Sequence, residues 1–194
     1  MITRHLDIGC GATPRNPYEL DELFGVDIAP PTGADHVRKA NLALHPIPFP
    51  DSHFNAVSAY DFLEHVPRVL PAADYLSTRL PFVELMNEVW RVLLPGGLFY
   101  ASTPVYPHSA TFVDPTHVNA LTSDSHIYFT QPLRLAAMYG FVGDFKARSV
   151  HLSTPSASTL YLKPPLGAWA QFRRRCRVML GDCSHVIWEL EAIK

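Results

Sequence analysis

The sequence predicts an α/β fold built around a mostly parallel β-sheet. Short apolar runs have the pattern of strands, they alternate with longer segments, and one of those segments has the apolar spacing of a helix. Hydrophobic residues make up 47% of the 194 residues, so the chain can bury a full core. Because no internal repeat or low-complexity tract is present, we expect one domain over residues 1–194.

Five strands are predicted in the first part of the chain. They cover residues 2–8, 24–28, 36–40, 54–60 and 98–102. The first strand enters Gly9-Cys10-Gly11, the pattern of a strand that runs into a glycine turn. Because only residues 12–24 separate Gly11 from Gly25, the first crossover helix must be short or irregular.

Two helices and two further strands are predicted in the rest of the chain. Residues 80–94 carry apolar side chains at helical spacing, and Pro95-Gly96-Gly97 follow them. A second helix is predicted over residues 131–139, before Gly140. Strands over residues 141–152 and 186–193 complete a sheet of seven strands. Strands that alternate with helices favour parallel pairing with right-handed crossovers.

Composition disfavours several classes of partner. Sixteen Lys and Arg against eighteen Asp and Glu give a formal charge of −2, so no global field draws the chain to nucleic acid. The sequence has three cysteines, Cys10, Cys176 and Cys183, an odd number without a CxxC pair. This pattern disfavours both a set of disulfide bonds and a thiolate zinc site, and it favours a location in the reducing cytoplasm. No stretch of about 18 apolar residues is present, so we expect no membrane partner.

The glycine turn and a later acid predict a nucleoside site. Gly9 and Gly11 lack a Cβ where the chain bends sharply, so a ligand can lie against the backbone. Asp27 follows the second predicted strand, and its two oxygens suit the two hydroxyls of an unphosphorylated ribose. Pro14 stands where a dinucleotide motif has its third glycine, which makes a nicotinamide-dependent oxidoreductase the weaker alternative.

The order and spacing of four motifs point to a known family. They are Leu6-Asp7-Ile8-Gly9-Cys10-Gly11, Gly25-Val26-Asp27-Ile28, Phe62-Leu63-Glu64-His65-Val66 and Leu94-Pro95-Gly96-Gly97. Together they resemble the class I S-adenosylmethionine-dependent methyltransferases over about residues 5–103. The resemblance implies a Rossmann-like three-layer sandwich, an antiparallel edge strand in the seven-stranded sheet, and S-adenosylmethionine as cofactor. Thr13 departs from the family's glycine pattern.

The resemblance also implies a set of residues that contact the cofactor. They are Asp7, Gly9, Cys10, Gly11, Asp27, Ile28, Asn41, Leu42, Tyr60, Asp61 and His65. Asp7, Tyr60 and Asp61 would lie near the methionine moiety, whereas Asn41 and Leu42 would contact the adenine. Structural alternatives stay open for several of them: Asp7 as a loop anchor, Asn41 in a turn, Asp61 as a helix N-cap and His65 as a packed histidine.

The loop after the fifth strand supplies the predicted catalytic pair. Asp114-Pro115-Thr116-His117 resembles a segment of bacterial methyltransferases with unassigned or glycan-related substrates. The resemblance implies that His117 is a general base and Asp114 its orienting partner. In the structural alternative, Asp114 caps a turn and His117 bonds the backbone. His108, His117 and His126 lack the local spacing of a ligand set, so we predict no metal site.

The predicted function is methyl transfer from S-adenosylmethionine to an oxygen or nitrogen of a small molecule or glycan. A sulfonium methyl group is already activated, so the protein chiefly has to align the acceptor. A cofactor-binding protein without catalysis is an alternative of another class. Because the first strand starts near residue 2, the cleft is either open or closed by another chain, for example in a homodimer.

Overall fold

The computed structural model describes residues 2–34, 36–74, 76–154 and 167–194. The strands are β1 (Arg4–Ile8), β2 (Glu22–Asp27), β3 (Val37–Lys39), β4 (Phe54–Tyr60), β5 (Leu70–Pro71), β6 (Thr78–Arg79), β7 (Leu93–Pro104), β8 (Phe145–Ser153) and β9 (His185–Ala192). Strands β5 and β6 pair with each other, and the other seven form one sheet in the order β3-β2-β1-β4-β7-β9-β8. The α/β fold class and the seven predicted strands are confirmed.

Strand direction decides which residues meet at one edge of the sheet. Strands β2, β1, β4 and β7 pair in parallel, so their carboxyl ends lie together, at what we call the carboxyl edge. Strand β9 runs antiparallel to both β7 and β8. The predicted antiparallel strand is therefore β9. It is the second strand from the edge of the sheet, because it lies between β7 and the edge strand β8. This direction brings the first residue of β9, His185, to the carboxyl edge.

Helix α1 (Pro81–Val92) covers one face of the sheet, close to the predicted range. Proline at its first position fits the helix start, where no N–H has to be donated within the helix. Its buried residues recur at the three- and four-residue spacing of one helix face: Phe82, Leu85, Met86, Val89 and Val92. They join the core formed by the strands, which includes Leu6, Val57, Phe99 and Trp188.

The helix predicted over residues 131–139 is wrong. Only a 3₁₀ turn over Leu135–Tyr139 is present, and it ends at Gly140. Arg134 adopts a left-handed conformation, with φ of +44°, and Pro132 has no N–H to donate. These two residues break the helical hydrogen-bond pattern that the apolar spacing suggested.

The connection between β1 and β2 contains no helix. Residues 9–21 form turns and irregular segments, so the short or irregular crossover helix expected from their length is absent. They lie against the face opposite α1, where Tyr18 packs with Tyr60, Tyr100 and Ile187. The parts of the chain that the structure describes contain two further α-helices, α2 (Ala110–Val113) in the loop after β7 and α3 (Ala168–Met179) before β9. Within the described ranges, no helix has the length and apolar character needed to cross a membrane.

Candidate active site

Two glycines bend the chain at the carboxyl end of β1. Gly9 and Gly11 have φ of +67° and +58°, a left-handed conformation that favours glycine. A Cβ at Gly9 would overlap the ring of Phe62, whereas a Cβ at Gly11 would meet no heavy atom within 4 Å. Between them, burial raises the pKa of the Cys10 thiol to about 12, so it stays protonated at neutral pH. The turn is therefore packed at Gly9 and open at Gly11.

Asp27 ends β2 beside this turn and holds it. One carboxylate oxygen accepts the N–H of Gly11 at 2.8 Å, and the other accepts the N–H of Ala29 at 2.9 Å. Each oxygen keeps a further lone pair, so the half-buried carboxylate can accept two more hydrogen bonds from adjacent hydroxyls. The neighbouring Ile28 side chain is 58% exposed and offers an apolar surface to a base ring. These residues fit a nucleoside with free ribose hydroxyls.

Asp7 is buried and is used by the fold itself. One oxygen accepts the hydroxyl of Ser58 at 2.6 Å, and the other accepts the backbone N–H of Arg15 at 2.8 Å. Because the Ser58 proton goes to Asp7, Ser58 accepts a hydrogen bond from His5 Nε2–H, at 2.8 Å. Burial raises the pKa of Asp7 to about 6 and lowers the pKa of His5 to about 3. This geometry favours Asp7 as the anchor of the loop.

Tyr60 and Arg15 lie next to the same loop. The guanidinium of Arg15 stacks over the Tyr60 ring, 4.5 Å from its centroid, as in a cation–π contact. The ring centroids of Tyr60 and Tyr100 are 5.3 Å apart. Burial raises the pKa of the Tyr60 hydroxyl, so this residue stays neutral. Sequence reasoning named Tyr60 but missed Arg15, because an exposed arginine in a loop carries no local signal.

Asn41 and Leu42 follow β3, next to the end of β2. The N–H of Ala40 donates to the carbonyl of Asp27 at 2.9 Å, which fixes this proximity. Asn41 Oδ1 accepts the N–H of Ala43 at 3.1 Å, and the Leu42 side chain lies in the core. Both contacts match a turn asparagine and a core leucine, and contact with an adenine stays a prediction.

Asp61 follows β4 and pairs with a histidine from the far end of the chain. Its φ of +49° is left-handed, and its N–H donates to the carbonyl of Ser102 at 2.9 Å. Its carboxylate lies 3.0 Å from His185 Nε2, and Ser184 Oγ lies 2.8 Å from the Nδ1 of that ring. The pair is 124 residues apart in sequence. Sequence reasoning missed His185, since only the direction of β9 brings it to the carboxyl edge.

Glu64 is a fully buried acid in the 3₁₀ turn Leu63–His65, directly after the end of β4. Its Oε2 accepts the hydroxyl of Thr103 at 2.9 Å, but its Oε1 has no hydrogen-bond partner among the described residues. Burial raises the pKa of Glu64 to about 7. A buried carboxylate oxygen without a donor is costly, by about 1–3 kcal/mol. Sequence reasoning quoted Glu64 as part of a motif but gave it no role.

His65 and His117 converge on this acid. Their ring centroids are 4.8 Å apart, and His117 Nε2 lies 3.9 Å from Glu64 Oε1. His117 Nδ1 is 3.1 Å from the carbonyl of Thr111, to which it donates. Asp114 Oδ2 is 4.0 Å from His117 Nε2, beyond hydrogen-bond distance. The predicted orienting role of Asp114 is therefore taken by the Thr111 carbonyl, and Asp114 instead caps the turn by accepting the N–H and hydroxyl of Thr116.

The other histidines of this region do not join the group. His108 Nδ1 accepts the N–H of Ala110 at 3.1 Å. His126 Nδ1 lies 2.9 Å from the carbonyl of Ser123, to which it donates. Local loop contacts thus occupy both rings, and the set weighed from the sequence does not form.

A cavity of about 580 Å³ lies beyond the carboxyl ends of β4 and β7. Its walls are mostly apolar and aromatic, and include Leu80, Phe82, Tyr128, Phe129 and Tyr139. Asn119 lines it as well, and the backbone N–H of Asn119 donates to the carbonyl of Glu64 at 2.9 Å. Asn119 therefore connects the wall of the cavity to the backbone of Glu64.

The sequence of residues 6–101 matches a family described as a methyltransferase domain. No curated protein matches the sequence significantly. Three solved structures share the fold. An S-adenosylmethionine-dependent methyltransferase from Archaeoglobus fulgidus has a TM-score of 0.57 and 16% identity, covering 98% of this chain and 86% of that one. YcgJ from Bacillus subtilis has a TM-score of 0.55 and 16% identity, covering 100% and 92%. Geranyl diphosphate methyltransferase in complex with S-adenosylmethionine has a TM-score of 0.54 and 15% identity, covering 99% of this chain and 79% of that one.

The matched residues 6–101 include the motifs on which the family resemblance was based, among them the glycine turn after β1, Asp27 at the end of β2 and the segment after β4. At 15–16% identity the structural similarity establishes the fold, and the domain match adds the activity. The cofactor is S-adenosylmethionine. The domain match and the fold together identify this chain as a class I S-adenosylmethionine-dependent methyltransferase.

Proposed function

We propose that this enzyme methylates an oxygen or nitrogen of a small molecule or glycan. The observation that carries the proposal is the cavity of about 580 Å³ beside Glu64. This volume lies within the range of about 300–1,000 Å³ that suits one small ligand, and its apolar walls suit an acceptor with a hydrophobic face. Near-neutral charge, −2 overall, supports a small acceptor over a nucleic acid.

The residues around the glycine turn would hold the cofactor. Asp27 would bind the ribose hydroxyls, Ile28 would cover the adenine, and the open backbone at Gly11 would lie along the ligand. S-adenosylmethionine supplies a methyl group on a sulfonium sulfur, which leaves as a neutral thioether when the methyl carbon bonds to the acceptor atom. The role of the chain is to align that atom and to exclude competing water.

His117 is the candidate acceptor of the proton that the methylated atom loses. Its Nδ1–H donates to the Thr111 carbonyl, so in the neutral imidazole Nε2 is the atom that can take a proton. The His117 side chain is 10% exposed, and therefore largely shielded from water. His117 also lies in the same loop as Asn119, which lines the cavity.

Acceptor profiling tests this proposal. The purified chain is incubated with S-adenosylmethionine that carries a labelled methyl group, and with separate pools of hydroxyl-bearing metabolites, amine-bearing metabolites and oligosaccharides. Mass spectrometry should find the label in at least one pool. Label that enters only DNA, RNA or protein, or no transfer in spite of cofactor binding, would contradict the proposal.

A pair of valine variants tests the cavity. Val69 lines it and is 61% exposed, whereas Val142 is 70% exposed and is not among the lining residues. We expect Val69→Trp to raise the KM for the acceptor at least about tenfold while cofactor affinity stays unchanged. Val142→Trp should behave like the wild type. Equal KM values for both variants would exclude this cavity as the acceptor site.

A further inference from the structure

Three side chains form a group that we call the Glu64 cluster: Glu64, His65 and His117. Each can offer one ligand atom, and these atoms all lie within 4.8 Å of one another. The residues come from two separate segments, the 3₁₀ turn after β4 and the loop after β7. The side chain of Glu64 is fully buried, and its Oε1 lacks a donor among the residues described.

The hydrogen bonds around the cluster leave one ring nitrogen of each histidine unused. His117 donates through Nδ1 to the Thr111 carbonyl, so in its neutral form the lone pair is on Nε2, 3.9 Å from Glu64 Oε1. The Thr116 hydroxyl donates its single proton to Asp114 at 2.7 Å, so it accepts from His65 Nδ1 at 3.0 Å. His65 Nε2 therefore also carries a lone pair.

We propose that the Glu64 cluster binds one divalent transition-metal ion. Two imidazoles and one carboxylate form a ligand set that suits Zn²⁺, Mn²⁺ or Fe²⁺. Tetrahedral ligands about 2.1 Å from a metal lie about 3.4 Å from each other, so the pair at 3.9 Å needs to close only slightly. The ion supplies the partner that Glu64 Oε1 lacks.

The surroundings of the cluster have the form of an outer coordination shell. Ligating histidines donate their second ring nitrogen to a fixed acceptor, which sets the tautomer and the ring orientation. Here the Thr111 carbonyl serves His117, and the hydroxyl of Thr116 serves His65. Thr103 holds the second oxygen of Glu64 at 2.9 Å. All three ligands are thus oriented before an ion binds.

This inference rests on the proposed function and narrows it to hydroxyl-bearing acceptors. Three protein ligands leave at least one coordination position for a substrate oxygen. A hydroxyl bound there is more acidic, and its proton leaves to water past the exposed Asp114 carboxylate. The resulting oxygen bonds to the methyl carbon as the carbon–sulfur bond breaks, with the electron pair staying on sulfur. In this arrangement His117 is a ligand, and the ion replaces the imidazole as the group that makes the proton leave.

Metal binding is tested without cofactor or acceptor. The chain is stripped with a chelator and titrated with Zn²⁺ by calorimetry, and with Co²⁺ by visible absorption, which reports the coordination of the ion. We expect one ion per chain. Glu64→Gln and His117→Asn should each weaken binding by at least about 100-fold, and Thr116→Val by about 10–100-fold, as expected for an outer-shell partner. His36→Asn, which removes an exposed imidazole outside the cluster, should leave the metal affinity unchanged.

Several results would overturn the inference. One is wild-type affinity that equals that of His117→Asn, provided circular dichroism shows that the variant is folded. Another is an affinity that falls in His36→Asn. Zn²⁺ should also restore methyl transfer to a chelated sample, and transfer that persists at full rate without metal would return His117 to the role of general base. Tight metal binding with no transfer to any acceptor would instead contradict the proposed function alone.

Discussion

The glycine turn and the Glu64 cluster are two regions of one site, and they differ in whether their acidic side chains are fully hydrogen-bonded. At the turn, both oxygens of Asp7 and both oxygens of Asp27 accept hydrogen bonds from the chain itself. In the cluster, Glu64 Oε1 has no donor within the described part of the chain, and each of the two imidazoles has one ring nitrogen that these hydrogen bonds do not use. The turn is thus complete without a ligand, and the cluster is not.

In the proposed function, the turn holds the cofactor and the cluster takes part in the reaction. A loop that is already hydrogen-bonded loses little conformational freedom when a ligand binds, so binding there is preorganised. A buried oxygen without a partner costs about 1–3 kcal/mol, and a folded protein carries such a cost where function requires it. Variants that alter one region at a time test this difference.

Gly9→Ala should destabilise the protein by about 2–5 kcal/mol. The new Cβ would overlap the ring of Phe62, and alanine would also be held in the left-handed conformation. Gly11→Ala is the matched control, because it has the same kind of φ but open space around the Cβ, so only about 1–2 kcal/mol is expected. Urea unfolding measures both. Equal losses would show that the turn is not packed as described.

Asp27→Ala should weaken the binding of S-adenosylhomocysteine by about 100-fold. Two hydrogen bonds to a charged group are lost, each worth about 1.5–3 kcal/mol, of which part is recovered by water. Asp74→Ala is the control: Asp74 is an acid that likewise holds its own turn, through Leu76 and Ser77, and it belongs to another part of the chain. Calorimetry measures both affinities. An unchanged affinity in Asp27→Ala would remove the basis for the ribose contact.

His5 and Asp7 should give stability opposite slopes with pH. Burial raises the pKa of Asp7 from 3.8 to about 6, so between these values the folded chain holds a proton that the unfolded chain has lost, and stability falls as pH rises. Burial lowers the pKa of His5 from 6.5 to about 3, so stability rises with pH over that range. His5→Gln should leave the falling slope, and Asp7→Asn the rising one.

Unfolding free energies at pH 4 and pH 6.5 measure these slopes. Each of the two variants, His5→Gln and Asp7→Asn, should change the difference in unfolding free energy between pH 4 and pH 6.5 by on the order of 1 kcal/mol. His36→Gln, an exposed histidine, should leave the wild-type profile intact. If His5→Gln and Asp7→Asn shift the profile in the same direction, the two groups are not buried as the hydrogen bonds through Ser58 require.

Glu64→Gln should stabilise the metal-free protein by about 1 kcal/mol while it abolishes methyl transfer. The neutral amide can donate to the lone pair of His117 Nε2, which lies 3.9 Å from Oε1, and no charge stays buried. Thermal unfolding and the acceptor assay measure the two effects. A clear loss of stability would mean that Glu64 already has a satisfactory partner, and the contrast between the two regions would disappear.

Local sequence patterns predicted much of the sheet. Alternating apolar runs and the glycine turn located seven strands, and the short link from Gly11 to Gly25 correctly excluded a long first helix. The pattern failed over residues 131–139, where apolar spacing favoured a helix but Pro132 and the left-handed Arg134 prevent one. Backbone restrictions at single residues outweighed periodicity there.

Local sequence accounts for the succession of strands along the chain, the bend at Gly9 and Gly11, and the placement of Asp27 at a strand end, because these features depend on near neighbours in the chain. Folding is needed to bring His185 to Asp61, and to bring His117 near Glu64 Oε1, which has no donor among the described residues. Those pairs join segments that lie far apart in sequence. Their meeting depends on strand direction and loop packing, which no local pattern encodes.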